Sequence, residues 1–336
     1  ALASETGEEE WRTPLGPDLR GLAWTAGTLV ASRHRSPEEG GHWWTVDEAT
    51  GAATNYLIEP DPGPDSDTNS RGIPGYLQRL AIRPDGRTLV FPGLKSNTDR
   101  GAFLEDQDST PDTTTRAVLR HVHFNSTEAE RGTPAEEPLF DNRDFASAAA
   151  FTPVGDAVFV AHMGNQTVDA LDAWSLQRIG GFQDLGHGLS GLWVHPDGQT
   201  LWALADFDRE LVALPIDDLS ASPMEDARID LLGDIEDPVD PTVLEGKRIF
   251  YGAIDPRMSE DGYISCGSCH LDGEDDGRTW DFTQRGEGLR NTISLLGRAS
   301  ADHGPLHWSG NFDEIQDFEN DIRLHMGGEG YLDPDD

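Results

Sequence analysis

Leu80-Ala-Ile-Arg-Pro-Asp-Gly-Arg-Thr-Leu-Val-Phe91 reads as strand, tight turn, strand, and Gly191-Leu-Trp-Val-His-Pro-Asp-Gly-Gln-Thr-Leu-Trp202 repeats it. A looser copy runs from Ala149 to Phe159, with Thr152-Pro-Val-Gly155 at the bend. Proline presets the backbone for a turn, aspartate caps it through its side chain, and glycine takes the positive φ, so Pro-Asp-Gly between apolar runs specifies a hairpin. Further strand pairs follow two of the copies, Thr167–Leu171 with Leu176–Ile179, and Glu210–Leu214. Four short strands per unit of roughly 40–45 residues is the period of a β-propeller blade. About four to five such units fit between Gly21 and Asp230. Because a closed propeller needs about 4 to 8 blades, the expected propeller is either small or incomplete.

Outward from these repeats the texture changes twice. Residues 1–20 are polar, contain Pro14 and Pro17, and read as an arm; they show no basic flank followed by an apolar stretch, so the protein is expected to be either cytoplasmic or already processed. Gly233–Pro241 is acidic and proline-containing, a linker by composition, and Pro241–Tyr251 after it has the spacing of a short amphipathic helix. The expected organisation is therefore an arm (1–20), propeller blades (21–235) and a different stretch (236–336) that lacks strand alternation.

The chain has 336 residues with 62 Asp+Glu against 25 Lys+Arg, a formal net charge of −37. That charge argues against nucleic acid or anionic lipid as a partner and favours a basic docking surface on any protein partner. No apolar run approaches the roughly 20 residues of a membrane-spanning helix, so no integral membrane segment is expected. Lys95 and Lys247 are the only lysines; arginine carries the rest of the positive charge.

The two cysteines stand together in Cys266-Gly-Ser-Cys269-His270. A C-x-x-C-H run is the attachment site of a c-type haem, in which the thiols add to the vinyl groups and the histidine becomes an axial iron ligand. A thioredoxin-like pair would need a buried strand before it, which Asp255–Ile264 does not provide, and a structural zinc site would need two more ligands.

Around this motif the sequence resembles secreted bacterial proteins in which a β-propeller carries a cytochrome c domain related to the dihaem cytochrome c peroxidase and MauG-like group. The resemblance rests on Glu245–Phe250, the C-x-x-C-H run, Asp275–Phe282, Gly288–Gly297 and His307–Phe312. It implies that 236–336 is a mainly helical cytochrome c domain, either whole or truncated at its C-terminus, with one covalent haem c held by Cys266 and Cys269 and with His270 as the proximal iron ligand. It also implies a periplasmic or extracellular (cell-surface) location that would require a secretion leader, since removed. Those relatives carry two haem motifs and this sequence has one, which makes it either a single-haem branch or part of a longer chain.

The second axial ligand decides the chemistry, since a strong sixth ligand favours electron transfer and an open site admits peroxide. Met326 and His307 are the leading candidates, with His303, His325 and Met258 behind them. Arg290 is a candidate partner for a haem propionate, and Trp308 and Trp280 are candidates for packing on the porphyrin edge. The run Asp272–Gly277 is oxygen-rich enough to be a candidate calcium site, although it lacks the EF-hand pattern. The expected function is single-electron transfer to a redox partner protein. The alternatives are a peroxidase-like or MauG-like enzyme, and a surface-layer or fibre component that associates with itself or with another cytochrome.

Overall fold

The computed structural model describes residues 5–66, 69–98, 111–123, 137–138, 140–220, 227–283, 286–297 and 305–332. It is mainly β. In the first sheet β1 (Leu19–Thr25), β2 (Thr28–Arg33), β3 (Gly41–Asp47) and β4 (Ala53–Ile58) pair antiparallel in chain order. The second has β5 (Ile73–Gly75) and β6 (Ala81–Ile82) sharing one side of β7 (Thr88–Ser96). After the one-turn helix α1 (Pro111–Thr114), β8 (Thr115–His123) runs along the other side of β7. In the third, β9 (Ala146–Phe151), β10 (Ala157–His162), β11 (Thr167–Asp172) and β12 (Arg178–Phe182) pair in sequence. The fourth repeats the pattern with β13 (Leu189–Val194), β14 (Thr200–Ala205), β15 (Glu210–Pro215) and β16 (Arg228–Asp230).

The hairpins form as the turn chemistry dictates. Arg83 N–H donates to Thr88 O, Gly86 N–H to Arg83 O, and the Asp85 carboxylate takes Arg87 N–H. His195, Gly198 and Asp197 repeat the same three bonds, and in the looser copy Gly155 N–H returns to Thr152 O. All three glycines, at 86, 155 and 198, take φ between 68° and 73°.

Strand alternation stacks the sheets. Along β7, Leu89 and Phe91 pack with Val30, Trp43 and Ile58 of the first sheet, while Val90 packs with Ala146, Val158 and Val160 of the third. Along β10 the same period of two turns Val158 and Val160 toward the second sheet, and Phe159 and Ala161 toward Leu201, Ala203 and Val212 of the fourth. Strands β7 and β10 are accordingly buried on both faces. Among the described residues no buried cluster joins the first sheet to the fourth, and the outward side chains Leu22 and Trp24 are about 60% exposed, at 61% and 58%. Among the described residues the sheets thus stack in series, first on second, second on third and third on fourth.

The first residues are fastened down: Trp11 Nε1 donates to Glu48 O, Thr13 Oγ1 to Gly51 O, and Gly16 lies against the Trp44 ring. The expected mainly helical domain at 236–336 is not evident. That stretch contains α2 (Pro241–Tyr251), α3 (Glu319–His325), a hairpin of β17 (Thr279–Phe282) and β18 (Gly288–Asn291), and 3₁₀ turns. Glycine and aspartate at 261–262, 272–273 and 276–277 supply turns where helix was expected. No described helix is long and apolar enough to cross a membrane.

Phe159, fully buried between the third and fourth sheets, gives the stacking a direct test. Phe159→Ala is expected to lower unfolding free energy by about 3–5 kcal/mol in urea melts, the range for truncating a buried aromatic; a loss below about 1 kcal/mol would contradict this packing.

Candidate functional site

The segment that begins at α2 is laid across one end of all four sheets. Asp240 caps α2 by accepting Thr242 N–H at 2.8 Å, and Pro241 sits at the first helical position, where no amide donor is needed. At its other end Tyr251 packs on Phe207, and the next residues hang from the third sheet, with Ala253 and Ile254 N–H both on Gly164 O.

Each sheet supplies fastenings. From the first sheet, Arg35 pairs with Glu274 at 3.0 Å and Asp275 at 3.4 Å, Arg20 pairs with Asp272, and Pro37 O accepts from Arg278. The second sheet gives Tyr76, whose hydroxyl donates to Cys269 O at 2.7 Å, and Arg116, which lies over the Tyr263 ring. On the third, Asn165 Nδ2 donates to Gly262 O at 2.8 Å, and Asp141 accepts from the Tyr263 hydroxyl. The fourth places Asp208 2.8 Å from Arg248 and Phe207 under Lys247.

At the centre of these contacts lies Cys266–His270. Cys266–Ser268 is a single 3₁₀ turn, closed by Ser268 N–H to Ser265 O and by Ser265 N–H to the Ser268 hydroxyl. Cys269 and His270 N–H both return to Cys266 O, so the two thiols and the imidazole project from one tight turn. Gly267 is fixed by packing, since a Cβ there would stand 2.4 Å from the Tyr251 ring.

The electrostatics separate the readings of this pair. Both cysteines are unbridged. Burial pushes the Cys266 thiol up to about 11 and the Cys269 thiol well above its usual range, the latter helped by Asp276. A nucleophilic or redox thiolate needs the opposite shift, from a cation or a helix N-terminus. His270 is held neutral, its pKa lowered by burial, and its Nδ1 is buried with no hydrogen-bond partner among the described residues.

The other expected residues divide. His307 lies near His270, with Nε2 3.4 Å from Asp321 and its ring against Phe312 and Phe318. His325 Nε2 is 3.2 Å from the same Asp321, so one carboxylate holds both imidazoles. Met326 ends α3, and its carbonyl accepts Glu260 N–H. Met258 is buried in the fold; His303 lies outside the described residues. Trp280 is buried with its indole N–H on Asp276, whereas Trp308 is exposed and donates to Asn291 O. Arg290 is half-buried on β18, its Nη1 on Leu289 O. In the acidic run, Asp272 serves Arg20, Glu274 and Asp275 serve Arg35, and Asp276 takes Arg278 N–H and the Trp280 indole. Among the described residues no group of three or more His, Cys, Asp or Glu is placed to hold a metal ion.

Sequence reasoning missed Tyr76, Arg35, Arg278 and Asp144. Asp144 lies beneath the junction, accepting Phe145 and Gly164 N–H, and Gly164 in turn holds Ala253 and Ile254.

No family model matches this chain. No curated protein matches it either. Among solved structures it is similar to Kuenenia stuttgartiensis hydrazine synthase, with a TM-score of 0.45 and 14% identity over 56% of this chain. The match covers 55% of that protein's chain, about half its length.

Burial raises the Asp144 carboxyl from its ordinary 3.8 to about 7, outweighing its two N–H donors. The folded state therefore holds this proton more tightly than the unfolded chain. The stability it contributes is complete below about pH 4 and is lost as pH rises through about 7. In urea melts across that window the native protein is expected to lose up to about 1.4 kcal/mol per pH unit relative to Asp144→Asn; parallel profiles would contradict this assignment.

Proposed function

We propose that the chain is an extracytoplasmic c-type cytochrome: one haem is covalently held by Cys266 and Cys269 with His270 as proximal iron ligand, on an incomplete propeller that positions it. The observation that carries this reading is the turn Cys266–His270, whose thiols are neither bridged nor activated and whose neighbour is a neutral imidazole. This donor set fits haem c and fits poorly with thiol exchange.

The surroundings support it. Helices α2 and α3 bury no residue in the structure, and two apolar side chains close to Gly273, just after the turn, stand exposed: Val243 at 58%, which lines a cavity with Phe250, Tyr251 and Gly273, and Leu296 at 59%. Exposed apolar surface beside the turn suits an apolar group. Haem bound there would supply reversible one-electron chemistry. Neutral His270 offers an uncharged ring nitrogen, and the fastenings to four sheets hold the turn rigid. Arg290, on the hairpin after the turn, remains the candidate for a propionate, and Trp308 the candidate for the exposed edge.

For the sixth position we favour Met326, because Asp321 engages both His307 and His325. A methionine ligand would close the iron and suit electron carriage. The net charge of −37 suits a redox partner with a basic docking face.

Optical spectroscopy of the haem-loaded protein tests the role. The carrier reading expects a low-spin ferric spectrum, unmoved by peroxide and slow to change with cyanide, that becomes high-spin in Met326→Ala. A high-spin ferric spectrum that changes at once on adding cyanide would contradict it and favour a peroxidase-like enzyme. A low-spin spectrum lost in His307→Ala and kept in Met326→Ala would reassign the ligand to His307.

A further inference from the structure

We infer that Tyr76, a residue of the second sheet, is a positioning residue for the imidazole of His270; the inference rests on the haem attachment proposed above. The peptide unit between Cys269 and His270 joins the second thiol to the imidazole. Its two polar ends are held from different places: His270 N–H donates to Cys266 O within the turn, and Cys269 O accepts the Tyr76 hydroxyl at 2.7 Å, across 193 positions of sequence. With both ends fixed the peptide plane cannot rotate, and the direction in which His270 leaves the backbone is fixed with it.

Tyr76 is built for this place. It opens the interruption between β5 and β6, where Gln78 N–H reaches Pro92 O and the strand bulges away from β7. Such bulges re-aim a side chain. Tyr76 adopts φ of 48°, a left-handed conformation costly for an aromatic residue, and strain of this kind persists only where the surroundings enforce it. Those surroundings are visible: the ring is buried, 5.0 Å from His34 and edge-on to Phe145, with Leu94 and Leu271 in the same cluster. Gly75 just before it lies against Arg278, and Gly93 opposite lies against Gly75 O, so neither position has room for a side chain.

Electrically the hydroxyl turns the positive end of its dipole toward the Cys269 carbonyl. In a buried setting an unpaired carbonyl leaves its negative end uncompensated beside the iron ligand, which favours the oxidised metal. Burial, with Asp276 nearby, keeps the Tyr76 phenol protonated throughout the working pH range, so the donor is always present.

Tyr76→Phe keeps the ring and removes the hydroxyl, with its bond to Cys269 O and its contact with the Leu271 backbone. In the haem-loaded protein it is expected to retain covalent haem while its midpoint potential falls and its ferric electron-paramagnetic-resonance signals shift. Tyr263→Phe is the control, because it removes another buried hydroxyl contact at the same junction, to Asp141, and is expected to leave the potential unchanged. Should Tyr76→Phe fail to fold, 3-fluorotyrosine introduced at position 76 keeps ring and hydroxyl but strengthens the donor, and is expected to raise the potential. A potential indifferent to these changes at Tyr76, or moved equally by Tyr263→Phe, would overturn the inference alone. Absence of covalent haem in the unaltered protein, read by mass beforehand, would overturn the proposed function as well.

Discussion

The segment carrying Cys266–His270 has too little core of its own to hold a tight turn in place. Its two helices bury nothing, and its buried side chains, among them Met258, Tyr263, Leu271 and Trp280, are scattered. Rigidity is therefore borrowed from the four sheets. Each contributes from the same end, through polar and aromatic contacts of Arg35, Tyr76 and Arg116, Asn165, and Phe207 with Asp208, and through the apolar packing of Leu271 with Leu94 and Phe145. Exposed ion pairs of this type are each worth about 0–1 kcal/mol; several anchors converging on one turn restrict it more than any of them could alone.

The strong excess of carboxylates is managed by giving buried acids specific partners. Asp169 is surrounded by His162, Arg143 and Arg178 and is held well below the usual carboxylate range despite its burial. Buried Lys95 bridges Asp61 at 2.7 Å and Glu137 at 3.2 Å. Removing one member of such a set leaves an uncompensated buried charge, which costs far more than the intact pair contributes. Asp144 follows another course, remaining protonated near neutrality at the junction itself. Near Cys266–His270 the acids Asp272 and Glu274 are paired as well, with Arg20 and Arg35.

How much of the fold and site was legible in the sequence depends on the range of each interaction. The turns at Pro84–Gly86 and Pro196–Gly198 depend on adjacent residues, so their chemistry could be read directly, whereas the burial of β7 and β10 on both faces depends on the sheets stacked against them. Cys266, Cys269 and His270 were legible because three ligand-type residues share one turn. Tyr76 was not, since Ile73-Pro-Gly-Tyr76 has no pattern that points to a carbonyl 193 positions away. The amphipathic spacing of 241–251 did form a helix, but the mainly helical domain that the resemblance implied is not evident; beyond Tyr251 the described chain is mostly turn and hairpin, shaped by glycine–aspartate pairs and by docking onto the sheets. The four-strand period was legible, but the split of one strand position into β5 and β6 was not, since it arises from extra residues between Gly75 and Ala81 opposite β7.

The central claim is that the turn Cys266–His270 exists to hold a covalent haem. Intact-mass measurement under denaturing conditions, on protein exported through a haem c maturation system, tests it most directly. The account predicts a mass raised by one haem that survives denaturation and falls to the bare polypeptide when Cys266 and Cys269 are both replaced by serine. A bare polypeptide mass for the unaltered protein, or one lowered by the two hydrogens of a disulfide, would contradict it.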